Sequence, residues 1–187
     1  MNERMSRREA LRRAGLWASA AGVWASLPKR TWAALPAPEG WSPGEERLLT
    51  IIGDTLLPAT AGSPGAGAVE IGRFIAMMAS TCSPPETVSL IQSGLREIEA
   101  LSQAEFARGF IDLAAAQRET LLINYEKKGA SLAPAKGPHP LRPIKQWAVL
   151  GYFTSEPGAT QALRYDPIPG GYRGTVPLAP GDRTWAT

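Results

Sequence analysis

The sequence predicts an all-α protein, a single domain of about five to seven helices between a basic leader and an extended Pro/Gly-rich tail. Three observations predict it. Apolar residues between 43 and 153 recur at helical spacing, and no stretch alternates with period two over a credible strand. Helix-start signals bearing proline recur at Ser42-Pro43-Gly44-Glu45, Ser83-Pro84-Pro85-Glu86 and Leu141-Arg142-Pro143. Finally, 187 residues of which 44% are hydrophobic suffice for one core and fall short of two.

The first 33 residues carry seven basic side chains, Arg4, Arg7, Arg8, Arg12, Arg13, Lys29 and Arg30, against the acids Glu3 and Glu9. Taking these from the chain's 20 basic and 17 acidic residues leaves 13 against 15, so the remainder carries −2 although the whole chain is +3. A body of that balance has no basic footprint for phosphates, and nucleic acid is excluded as a partner class. Ser6-Arg7-Arg8-Glu9-Ala10-Leu11-Arg12 matches the twin-arginine export pattern, with Arg7 and Arg8 as the signal residues. The uncharged stretch behind it, Ala14 to Leu27, is diluted with Ala, Gly and Ser and is shorter than the roughly 18 to 20 residues of a stable membrane span. The alternative is an amphipathic or buried helix in which the arginine pair is accidental. Thr31-Trp32-Ala33-Ala34 offers a small-residue cleavage site, so the expected leader is 1–34, with the cut after Ala33 or Ala34.

A Pro-rich linker, 35–41, follows and is expected to be extended and solvated. The helical domain is expected over 42–155. Its first helix, Pro43 to Leu57, presents Leu48, Leu49, Ile52 and Leu56 on one face, and Pro58 stops it. Ala59 to Gly67 is a small-residue loop. A short apolar helix with Val69, Ile71, Phe74, Ile75, Met77 and Met78 comes next. A third helix begins at Ser83-Pro84 and is expected to end near Leu101, where Ser102-Gln103-Ala104-Glu105 resembles another capping box leading into Phe106 and Phe110. The Ala-rich stretch Ala114 to Lys128 has high helix propensity, and Gly129 is its expected cap. After a loop, Ala130 to Pro140, the last long helix runs toward Tyr152 and Phe153. From 156 to 187 the chain is expected to form a docking tail. Between Arg164 and Leu178 three prolines and three glycines exclude helix and central strand, yet Tyr165, Ile168, Tyr172 and Val176, with Trp185 behind them, need a surface to lie on, either the chain's own helices or another protein.

Little here suggests catalysis. The single histidine, His139, lies in a Pro-flanked loop and is read as solvated. Gly65-Ala66-Gly67 and Gly170-Gly171 do not fall between a strand and a helix, as a phosphate-cradling loop would. Glu97, Glu99, Asp112 and Glu119 sit on helices as solvated-face residues; a hidden carboxylate pair drawn from them is the alternative. Met77 and Met78 read as core filler or a partner-facing patch. Cys82, the one cysteine, makes no internal disulfide, haem attachment or cluster set; burial is favoured over intermolecular pairing. The concentrated signal is Gly151-Tyr152-Phe153-Thr154-Ser155-Glu156 with Leu163-Arg164-Tyr165-Asp166-Pro167. Two readings stay open. One is an aromatic cap on the domain's own core, with Arg164 and Asp166 satisfying loop backbone. The other is a docking surface built from Tyr152, Phe153, Arg164, Tyr165, Asp166, Pro167 and Tyr172.

The leader with Arg7 and Arg8, the helix end Ile52-Gly53-Asp54-Thr55-Leu56-Leu57-Pro58, and the two terminal runs ending at Glu156 and Tyr172 together resemble the gluconate 2-dehydrogenase subunit 3 family. The resemblance covers most of the chain behind the linker, and its terminal run is the specific part. It implies a non-catalytic small subunit of a periplasmic dehydrogenase complex, associated with the inner membrane through its partners. Those partners would be a FAD-dependent glucose-methanol-choline-type catalytic subunit and a multi-haem cytochrome c subunit. The chain would hold no cofactor itself, FAD and haem c residing in the partners, and would escort the folded flavoprotein through the twin-arginine translocase. Similar family members often place a cysteine behind the tail's Gly-Tyr-x-Gly. Here Thr175 follows Gly174, so a covalent link at that point is excluded. A free-standing periplasmic enzyme using an unrecognised carboxylate site is the competing reading.

Overall fold

A computed structural model describes residues 32, 37–136, 138–168, 170–171, 175, 177 and 179–186, all within one compact unit, Thr31–Thr187. Arg7, Arg8, the leader's cut site and Tyr172 lie outside the described residues. The described part is all-α. Five α-helices, α1 (Pro43–Leu56), α2 (Ile71–Cys82), α3 (Pro85–Phe106), α4 (Ala115–Lys136) and α5 (Leu141–Phe153), surround one core, and no strand longer than an isolated bridge occurs among the described residues.

α1 starts as its sequence requires. Ser42 Oγ accepts from the Glu45 N–H at 3.2 Å while the Glu45 carboxylate accepts from the Ser42 N–H at 2.8 Å, a reciprocal capping box with Pro43 in the first turn. Its buried face, Leu48, Leu49 and Ile52, packs on α2, the most extensive pairing in the fold, and α2 in turn packs on α5. Each such side chain taken from water contributes about 1.5–3 kcal/mol. α2 begins at Ile71, two residues later than Val69, because Ala66–Val69 forms a separate 3-10 turn and Glu70 adopts a left-handed conformation, φ 53°.

Two helix ends differ from the sequence reading. α3 runs unbroken through Ser102 to Phe106. Ser102 is buried and its hydroxyl donates to the Arg108 carbonyl at 2.8 Å, so it fastens the chain beyond the helix instead of opening a new one. Phe110 then enters the core from a 3-10 turn, Phe110–Asp112. α4 passes Gly129 and continues to Lys136, into the segment expected to be loop. Gly129 is needed for closeness: a Cβ there would collide with the His139 ring. The linker, expected to be solvated, docks at its end. Trp41 is buried with its indole N–H donating to Ser80 Oγ at 2.8 Å, and Gln92 donates to the Gly40 carbonyl at 2.9 Å.

Candidate docking surface

The two motif runs converge at one end of the helices and stitch it together. Gly53 of α1 lies so close to α2 that a Cβ would meet Ile71 Cγ2, and Gly151 of α5 leaves room for Phe74 and Ile71 in the same way. Asp54 reaches across the loop behind α1, its Oδ1 accepting from the Gly67 N–H at 2.9 Å. Tyr152 donates its hydroxyl to the Pro64 carbonyl at 2.6 Å. The loop 58–67 is therefore held from both sides, with a tight turn at its tip where Thr60 and Ser63 pair.

Tyr152, expected on the docking surface, is only 4% exposed and fills the core; its hydroxyl is the part that reaches the loop. Phe153 is half-buried with its ring edge-on to Tyr152 at 5.1 Å. Ser155 is buried behind them, donating to the Tyr152 carbonyl at 2.6 Å and accepting from the Gly158 N–H at 3.2 Å, which turns the chain into the wide helical turn Gly158–Ala162. Gly158 fits because any Cβ would strike the Tyr152 carbonyl.

The tail leaves this turn and is clasped at its root. Arg164 donates its N–H to the Thr184 carbonyl at 2.8 Å and its carbonyl accepts from the Ala186 N–H at 3.0 Å, a parallel bridge to the chain's last residues. The Arg164 guanidinium lies 4.1 Å from the centroid of the Trp185 ring, a cation–π contact of about 0.5–1 kcal/mol at an exposed site. Arg183 reinforces the clasp by donating to the carbonyls of Thr160 and Gln161 at 3.1 and 2.7 Å. Asp166 accepts from the Ile168 N–H at 3.1 Å, an Asx turn that serves the loop backbone. Above the clasp Tyr165 is 57% exposed, Ile168 83% and Trp185 43%, with Pro167 exposed beside them. The structure thus brings Arg164, Tyr165, Asp166 and Pro167 together on one loop and puts Tyr152 beneath the surface. Arg183, Trp185 and Ser155 complete the arrangement. Trp185 was legible as an apolar residue of the tail, but nothing local marks Arg183, since its partners stand 22 and 23 residues away in sequence.

The other chemically suggestive side chains are engaged structurally. Glu97 accepts from the Tyr125 hydroxyl at 2.8 Å, and burial first, then this carboxylate, pushes the Tyr125 phenol above the usual tyrosine range. Glu99 accepts from the Phe110 N–H at 3.2 Å and so holds the turn after α3. Glu97 and Glu99 therefore serve different contacts. His139, read as solvated, packs its ring 4.7 Å from that of Tyr125 and accepts the Leu141 N–H on Nδ1 at 3.2 Å, capping α5. Cys82, favoured as buried, is exposed at the end of α2. No group of three or more candidate metal ligands occurs among the described residues. No described helix is long and apolar enough to cross a membrane.

A family model described as Gluconate 2-dehydrogenase subunit 3 matches residues 43–170, more than half of the chain, from the first residue of α1 into the tail. No curated protein and no solved structure matches.

Proposed function

Because the chain belongs to the gluconate 2-dehydrogenase subunit 3 family, we propose that it is the non-catalytic small subunit of a periplasmic, FAD-dependent dehydrogenase complex of the gluconate, glucose or fructose type. Membership in a family of dehydrogenase subunits implies association with other dehydrogenase subunits. In this reading the chain binds a glucose-methanol-choline-type flavoprotein and escorts it, folded and loaded with FAD, through the twin-arginine pore on the signal Arg7-Arg8. A multi-haem cytochrome c subunit passes the electrons on and ties the complex to the inner membrane. Both cofactors reside in the partners.

The observation that carries the reading is the clasped tail. Tyr165, Ile168 and Trp185 stand exposed on a loop whose two ends are already fixed by backbone and arginine contacts. Exposed apolar side chains beside fixed backbone mark an interaction surface, and residues held beforehand lose less entropy on docking. Tyr, Trp and Arg are also the residue types in which binding energy concentrates. Escort through a pore that carries folded proteins requires a surface that exists before export, as this one does once the chain folds.

Replacing Arg7 and Arg8 together by lysine tests the escort role. Cell fractionation is expected to find both this chain and the flavoprotein retained in the cytoplasm. Normal export of the flavoprotein alongside a stranded small subunit would contradict it.

A further inference from the structure

Two tryptophans from the amino-terminal side contact α2, and they are held very differently. Trp41 is buried with its indole N–H bonded to Ser80 at 2.8 Å. Trp32 stacks on Phe74, ring centroids 4.6 Å apart and planes at 47°, but its indole N–H is buried without a hydrogen-bond partner among the described residues. An unpaired buried donor costs about 1–3 kcal/mol, so the second ring is seated by apolar contact alone and against that penalty. Beneath it Phe74 is only 5% exposed and is backed by α5, where Gly151 lets the ring approach the backbone. Phe74 is thus a fixed aromatic platform. The ring covering it belongs to the segment read as the export leader, which makes it the core-contacting side chain that the finished protein can lose.

We propose that the Phe74 platform is an exchangeable seat: Trp32 caps it in the full-length chain and yields it to an aromatic side chain of the flavoprotein partner when the complex forms. The occupant's chemistry follows from the seat, which already accepts an indole in tilted stacking, a geometry favoured between aromatic rings. An incoming ring whose polar edge stays hydrated or finds a partner avoids the penalty that Trp32 bears. The inference rests on the subunit reading above and adds a second contact region to the tail.

A seat blocked by its own chain weakens the partner by the fraction of time it is free. If Trp32 occupies it about nine-tenths of the time, freeing it tightens binding roughly tenfold. The test is a titration of the flavoprotein encoded with this chain against full-length wild type, Trp32→Ala and Trp32→Phe, with thermal melting to verify that each variant is folded. Expected are a Kd about tenfold lower for Trp32→Ala and an intermediate value for Trp32→Phe. An unchanged or higher Kd for folded Trp32→Ala overturns the seat while leaving tail docking intact. Failure of wild type and both variants to bind overturns the subunit reading and the seat with it.

Discussion

Tyr125 shows how much one side chain can connect. It is buried in α4, donates to Glu97 of α3 and lies against His139 ahead of α5. Burial and the neighbouring carboxylate both disfavour the phenolate, so the folded protein keeps this proton after the unfolded chain, near pH 10, has lost it. The contribution to stability is therefore complete below about pH 10 and is lost as pH rises above it, with a slope approaching about 1.4 kcal/mol per pH unit. Urea unfolding between pH 9 and 11.5 should show wild type losing stability more steeply than Tyr125→Phe, with the two alike in slope below that window. Parallel slopes throughout would mean that the phenol is not so held. At this scale the sequence was only partly legible. His139 in a Pro-flanked loop looks solvated and Cys82 in an apolar helix looks buried, and both environments depend on what folds over them from elsewhere. For Tyr152 the residue type correctly marked an important position, but whether a tyrosine faces a partner or its own core is decided by the Pro64 carbonyl, 88 residues away in sequence.

Among the elements, the pairing of α1 with α2 depends on Gly72 as well as on Gly53. A Cβ on Gly72 would collide with the Glu46 carbonyl and the Thr50 side chain, while the Gly72 N–H donates to Thr50 Oγ1 at 3.1 Å and that hydroxyl donates to the Glu46 carbonyl at 2.9 Å. One threonine thus satisfies a free N–H at the start of α2 and fixes the distance between the helices. Gly72→Ala should destabilise by about 1–3 kcal/mol through overpacking, read as a lower urea midpoint with an unchanged slope. A midpoint equal to wild type would show that the helices separate freely there. Helix starts were legible because their chemistry is local: the Ser42–Glu45 box lies within four residues. Helix ends were less so. Ser102 opens no helix because its hydroxyl is taken by Arg108, and Gly129 ends none because it makes room for His139.

Over the whole molecule, the loop behind α1, the end of α5 and the root of the tail are stitched by Asp54, Tyr152, Ser155 and Arg183, and the exposed apolar side chains stand outside these stitches. The family motifs accordingly serve architecture first: they shape the end of the bundle from which the tail projects. The all-α class was legible in the sequence from helical periodicity, and the Pro/Gly-rich run marked where the helices end. The clasp was not, because a single parallel bridge between Arg164 and Trp185 leaves no periodic trace. The reading proposed for this surface is that it holds a flavoprotein. The most direct measurement is purification of the chain, tagged at its carboxy terminus and expressed from its native operon, with an absorption spectrum and mass spectrometry of what accompanies it. A stoichiometric partner with a flavin spectrum is expected, joined by haem bands where the cytochrome subunit is retained. A colourless, solitary chain would contradict it.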